Sequence, residues 1–360
     1  MKYQRWIAAI LALTILACWG IAKKKKKNEE PATQTLPVLQ DPPPAIATDV
    51  QQLVFRVAPL SSKGLLSQQV RDALKALISG AHGSTIVKLR AFVAGTGDLR
   101  RVQTLVSETF GEKHLAVPAL STIQGGALPG EGVQVAIEAI EAQKKPANPA
   151  GLGFISGQPG ANIDESIARI RTALKSQSLA DSSVQQATCF LSSLDNHAAI
   201  RQALATAFPQ AALDIVQMQR LPVRTAIECE AIATLDRAPA ARVEFVNPEG
   251  LPKSTNYAQI ALVGPGKVAI SGMQLGFGAA EKDVRLAFER LGRALESVQM
   301  SYKDVIFAHI YPVSDDVTER IRAVRFGFFD AARPPASTML PFEAMQSLDA
   351  SFGMDVVAAK

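Results

Sequence analysis

The chain has 360 residues, 48% apolar and 20% charged, enough to build more than one core and unlike a disordered polymer. Its 38 basic against 33 acidic residues mislead, because residues 1–27 hold seven Lys/Arg and no acid; the rest carries 38 − 7 = 31 against 33, or −2. A body that close to neutral lacks the basic surface a phosphate backbone requires, so nucleic acid is not an expected partner.

Trp6–Ala22 is an uncharged apolar stretch, short for a membrane span, with Lys2 and Arg5 before it and Lys23–Lys27 after. Clustered lysines stay on the cytoplasmic side. Residues 1–27 therefore read as an N-terminal membrane anchor with the body cytoplasmic. The alternative is a cleaved signal, since Ile15-Leu16-Ala17-Cys18 loosely resembles a lipoprotein cleavage site and would make an exported lipoprotein. Residues 28–50, with Pro31, Pro37 and Pro42–Pro44, read as an extended spacer.

Beyond the spacer the chain repeats itself. Val87–Phe110, Gln186–Phe208 and Val305–Phe328 each run from an apolar strand pattern through a turn into a helical pattern. Six residues after Phe92, Phe190 and Ile310 stand Asp98, Asn196 and Asp316, all suited to capping a helix N-terminus; Phe110, Phe208 and Phe328 follow at equal spacing. An amphipathic helix precedes each copy: Ser67–Ser79, Asp164–Lys175 and Glu281–Gln299. Two strand-like runs follow each: Ala116–Gln124 with Gly132–Ile140, Ala212–Arg220 with Thr225–Leu235, and Thr338–Met345 with Phe352–Ala359. The unit is strands, helix, strand, helix, strand, strand, repeated over 51–145, 146–238 and 239–360. The first copy has lost much of its opening; the third is the most complete.

This order resembles the reactive-intermediate (enamine/imine) deaminase family, also called Rid or YjgF-like. Asn247-Pro-Glu-Gly250, Asn256-Tyr-Ala-Gln259 and Val268-Ala-Ile-Ser-Gly-Met-Gln274 are similar to the family's opening, and Phe154-Ile-Ser-Gly-Gln-Pro159 repeats part of it. Arg220-Leu-Pro222 with Ala226–Ala233 is similar to its closing strands, and Pro335-Ala-Ser-Thr338 to its substrate-binding strand. The resemblance implies an α/β (α+β) fold of three chorismate-mutase-like modules, sheets facing a common core and helices outside, forming a pseudo-trimer within one chain. It also implies clefts between modules, and a monomeric body, since sister modules take the places of subunits.

The family's carboxylate-binding arginine falls on Leu120, Leu213 and Ser337, and its last-strand glutamate on Ala136, Glu228 and Asp355. The expected site therefore has Glu228 and Tyr257 in catalytic positions, with Ser271, Gly272 and Arg220 binding ligand; Arg333 is a second possible substitute for the arginine. Each has a plainer reading: Tyr257 as a strand-end aromatic, Ser156-Gly157-Gln158 and Ser271-Gly272 as strand ends, and Glu228 and Glu230 as one polar strand face. His82, His114, His197 and His309 lack metal-ligand spacing, so no metal or other cofactor is expected. Cys189 and Cys229 read as buried free thiols. Gly125-Gly126 and Gly264-Pro-Gly266 read as turns. Two functions remain open: a membrane-tethered scaffold or small-ligand-binding member that has lost the arginine, or an enamine/imine deaminase in one surviving inter-module cleft. A cleft joining Glu228, the third module's opening and a basic side chain would favour the enzyme.

Overall fold

The structure is a computed structural model that describes residues 39–95, 98–220 and 226–360. The apolar stretch Trp6–Ala22 and Cys18 lie outside the described residues, and among those described no helix is long and apolar enough to cross a membrane. The expectation of membrane residence is withdrawn on that finding.

Three sheets make up the body. The first is built on β3 (Thr85–Ala94), flanked by β4 (Ala119–Gly125) in parallel and β5 (Val135–Ala142) antiparallel, with β2 (Leu53–Val57) beyond β5. The second repeats this with β7 (Val184–Leu191), β8 (Ala212–Gln217), β9 (Ile227–Thr234) and β6 (Leu152–Gly160). The third uses β14 (Val305–Pro312), β15 (Ala336–Met339), β17 (Ala350–Ala359) and β12 (Lys267–Ser271), with β13 (Gln274–Phe277) further along β17. Each central strand is bulged at the same place against its antiparallel neighbour: between Ile86 and Lys88, Val184 and Gln186, and Val305 and Phe307. A bulge fixes register. It makes Arg90, Thr188 and His309 equivalent, and Phe92, Phe190 and Tyr311.

The helices form where the apolar spacing places them. They are α1 (Leu66–Gly80) and α2 (Leu99–Glu112) on the first sheet, α3 (Ile163–Ser176) and α4 (His197–Ala207) on the second, α5 (Glu281–Glu296) and α6 (Asp315–Val324) on the third. Val70, Leu74 and Leu77 of α1 are buried on one face, as are Val284, Phe288, Leu291 and Leu295 of α5. Asp98 caps α2 by accepting from the Arg100 amide, whereas Asn196 begins α4 without a side-chain bond. The third cap differs from expectation. Ser314 holds it, accepting from the Val317 amide, and Asp316 sits in the first helical turn.

The modules also exchange strands. β11 (Ile260–Val263), with β10 (Val243–Val246) outside it, pairs with β6 of the second sheet. β1 (Ala45–Asp49), from the stretch read as spacer, pairs with β12 of the third. β16 (Ala344–Met345) pairs with β4 of the first. The sheets' inner faces close on one another through Val50, Leu53, Phe154, Val263, Ile270 and Phe307. At one end of this inner core Phe342 packs against Phe92, Phe190 and Tyr311, ring centroids 5.9, 5.9 and 5.4 Å away. Cys189 and Cys229 face each other across β7 and β9, Cα atoms 4.1 Å apart, and form a disulfide; the free-thiol expectation is corrected. Two cysteines in different runs become partners only through the strand register.

Candidate functional site

Two polar sites lie between the modules. The first is on the inner axis. Arg90 bridges Glu138 (Nε–Oε2, 2.5 Å) and Glu230 (Nη2–Oε1, 2.8 Å). His309 contacts Glu230 through Nε2 and Asp355 through Nδ1, each at 3.0 Å. Lys88 donates to the Ser121 hydroxyl and the Ser271 carbonyl, both at 2.6 Å, and Ser121 donates to Asp355 at 2.6 Å. Burial pulls the His309 pKa down, but Glu230 and the hydrogen bonds to both carboxylates raise it on balance. Arg90 Nη1 also lies 2.8 Å from His309 Nε2, so Lys88, Arg90 and His309 interleave with Glu138, Glu230 and Asp355. The pairs join strands of all three sheets across the inner core. Glu230 Oε2 alone of the cluster's carboxylate oxygens is without a hydrogen-bond partner among the described residues. The small cavity the cluster borders, about 50 Å³, is lined by these charged side chains together with Ile140, Phe154, Ile232, Ile270, Phe307 and Val357.

The second site is a cleft between the second and third modules. Its frame is a set of buried hydrogen bonds from Ser156-Gly157-Gln158 at the bend of β6. The Ser156 hydroxyl donates to the Ala258 carbonyl (2.6 Å) and accepts from the Ser337 amide (2.9 Å). The Gly157 amide donates to the Thr338 hydroxyl (3.1 Å), and Gln158 Nε2 donates to Gln259 Oε1 (2.7 Å). Together they fix the loop carrying Asn256 and Tyr257, and the strand carrying Ser337 and Met339, beside β9. A cavity of about 160 Å³ results, lined by Glu228, Asn256, Tyr257, Arg322, Arg325, Ser337 and Met339.

Glu228 enters this cavity because residue 157 has no side chain. A Cβ there would lie 1.9 Å from Glu228 Oε1. Burial, then the neighbouring charge of Glu230, pushes the Glu228 pKa up to about 8, so the acid is largely protonated at neutral pH. Burial and then the charge of Glu228 raise the Tyr257 phenol, keeping it a hydrogen-bond donor. Arg325 opens the 3-10 turn Arg325–Gly327 that ends α6 and is only 1% exposed. Its Nε and Nη2, and the Ser337 hydroxyl on the same wall, have no hydrogen-bond partner. Phe326 and Phe329 flank the guanidinium at 5.7 and 5.5 Å. Buried donors without a partner at the wall of a cavity are costly to leave so, and an anion reaching them from that cavity would satisfy them.

Of the residues expected to form the site, Glu228 and Tyr257 meet here. Ser271 and Gly272 do not. Ser271 is fully buried, accepting from the Val356 amide, and Gly272 belongs to a different cleft, between the third and first modules. Arg220 is exposed; its amide donates to Glu343 and its guanidinium to the Gly126 carbonyl, away from Glu228. Arg333 lies over the Phe245 ring, 5.5 Å from its centre. Asp355 is not the counterpart of Glu228. It pairs with His309 as Glu138 pairs with Arg90 and Glu230 with Thr188, which leaves Gly353, opposite Tyr311, in the Glu228 position. Sequence reasoning missed Arg322 and Arg325; two arginines three apart at a helix end, facing one way, were the available signal. Among the described residues no group of His, Cys, Asp and Glu is placed to hold a metal.

The arrangement defines an α+β module with a cleft against its neighbour, one wall from each. The sequence model of a known family, Endoribonuclease L-PSP, matches residues 252–360, and the third module is thereby a Rid/YjgF-family module. Among solved structures, the chain is similar to a conserved Rid-family protein of unknown function from Yersinia pestis (16% identity, 33% of this chain and 100% of that one, TM-score 0.31). It is also similar to a YjgF-family member from Mycobacterium tuberculosis (19%, 33% and 99%, 0.25). A third is a putative endoribonuclease from Thermotoga maritima (20%, 34% and 98%, 0.25). No curated protein matches the chain.

Proposed function

We propose that the cleft between the second and third modules binds a small carboxylate-bearing imine or enamine and hydrolyses it. The observation that carries this reading is Arg325: a buried guanidinium with unpartnered donors, lining the same cavity of about 160 Å³ as a protonated acid. The strand position where the family resemblance places its arginine holds Ser337, and the cation comes instead from the turn after α6. The reading that the sequence favoured, a binding or scaffold member without a carboxylate clamp, has this arginine against it.

The chemistry needs little more. Arg325 and Ser337 hold the carboxylate and place the C=N carbon in the cavity. Neutral Glu228 donates its proton toward the imine nitrogen as water adds to the carbon, and its carboxylate takes a proton back from that water. The carbinolamine then loses ammonia, so R₂C=NH + H₂O gives R₂C=O + NH₃. Tyr257 donates a hydrogen bond to the intermediate's oxygen or nitrogen. Because the acid form is the active one, turnover falls as pH rises through about 8.

The test is to supply the protein with imines generated from several amino acids and to follow ammonia release. Acceleration over the spontaneous reaction is expected. Absence of acceleration for every imine tried would sink the reading. The same preparation should be monomeric by light scattering, as a body of three modules, 51–145, 146–238 and 239–360, in one chain requires.

A further inference from the structure

Arg325 is not alone on its wall. Arg322, one helical turn earlier, also lines the cavity, with its side chain 45% exposed toward the mouth. Arg322 Nη1 is paired with Glu319, a residue that does not line the cavity. Inside, the only acidic side chain is Glu228, which makes no ion pair among the described residues. Like charges three residues apart on a helix repel, and burial beside Arg322 pushes the Arg325 pKa down to about 10. The cavity is therefore lined by two cations, one deep and one at the rim, with no anion between them.

A single carboxylate answers only the deep one. We propose that the preferred ligand of this cleft is a small dicarboxylate, one carboxylate on Arg325 and Ser337 at the closed end and the other on Arg322 at the mouth. The reacting carbon then lies along the wall that carries Glu228 and Tyr257. A short, two-headed molecule fits an elongated charge pattern with a neutral middle, and a lone inorganic anion does not. The inference rests on the cleft being a binding site for a carboxylate-bearing ligand, as argued above, and not on its turning that ligand over.

Calorimetric titration of the full chain separates the two. The probes are 2-oxoglutarate as dicarboxylate, 2-oxobutanoate as monocarboxylate and inorganic phosphate, none of which can be hydrolysed. The wild type is expected to bind 2-oxoglutarate at least tenfold more tightly than either other probe. Arg322→Gln should erase that ratio and leave 2-oxobutanoate affinity within twofold, whereas Arg325→Gln should weaken both keto acids. Arg322→Lys, which keeps a charge at the mouth, should retain part of the ratio. Equal affinity for the two keto acids in the wild type, a ratio that survives Arg322→Gln, or phosphate binding as tight as 2-oxoglutarate would overturn the proposal. Dicarboxylate preference in a protein that hydrolyses no imine would sink only the hydrolase reading; hydrolysis without the preference would sink only this one.

Discussion

At the bend of β6, Gly157 leaves room for Glu228 to enter the cleft between the second and third modules. At the matching bend after β12, Gly272 leaves room for main chain instead. Its amide donates to the Pro44 carbonyl at 2.9 Å, and the Pro43 and Leu120 carbonyls lie against it. The residue matching Glu228 is Gly353, and Met273, an extra residue in Ser271-Gly272-Met273-Gln274, lies in its place: a Cβ at 353 would meet the Met273 sulfur at 2.6 Å. Gln103, linked to Gln346 and Asp41, takes the wall position that Arg322 holds in the other cleft. One strand-end geometry thus supports a cavity of about 160 Å³ with an acid and two cations in one place, and a cavity of about 180 Å³ lined by a proline segment and neutral side chains in another. The fold supplies the cleft; a handful of side chains decide whether it remains a site.

That contrast can be broken most directly at the acid. Glu228→Gln keeps the shape and removes the transferable proton, so imine hydrolysis should fall by about 100-fold or more. Met273→Leu in the neutral cleft should leave the rate unchanged. Equal losses from both, measured as ammonia release at saturating imine, would erase the distinction between the clefts. A finer comparison uses the glycines. Gly157→Ala places a methyl group onto Glu228, and displacing the acid should cost roughly tenfold or more in kcat/KM. Gly272→Ala brings its Cβ no closer than 3.3 Å to the neighbouring carbonyls and should cost activity nothing.

The smallest effect is on stability. A buried carboxyl whose pKa is raised from 4.5 to about 8 in the folded protein keeps its proton there while the unfolded chain ionises. Its contribution is fully present below the unfolded pKa and is lost as pH rises through about 8. Glu228→Gln, which cannot ionise, should therefore match the wild type in melting temperature at pH 4 and exceed it by a few degrees at pH 9. No difference between the two pH values would mean that Glu228 is ionised and solvated in the cleft.

Much of the scaffold was legible in the sequence because periodicity is a local property. Helices expected at Ser67–Ser79 and Asp164–Lys175 form at Leu66–Gly80 and Ile163–Ser176, and the third begins at Glu281 as expected. What failed were quantities that depend on register. Matching Asp355 to Glu228 was an error of two residues along a strand, and a slip of two keeps every side chain on its own face, so alternation gave no warning. The Cys189–Cys229 bond was hidden for the same reason, since only the pairing of β7 with β9 brings the sulfurs together. In the site, Glu228 and Tyr257 were found because they sit on segments that resemble a known pattern. Arg325 was not, because a guanidinium arriving from a helix end leaves no mark on the strand it replaces.

Phe342 marks what a single chain can do that a ring of identical chains cannot. Its ring touches Phe92, Phe190 and Tyr311, three equivalent positions of the three modules. On a true three-fold axis every side chain comes in triplicate, and three phenylalanines converging on one point would collide. Here the point is filled once, by one ring in one orientation, and its three neighbours need not be alike. Covalent linkage therefore licenses a centre without symmetry. It also lets a substitution land in one cleft and spare the other two, which is the freedom that a neutral cleft beside a charged one records.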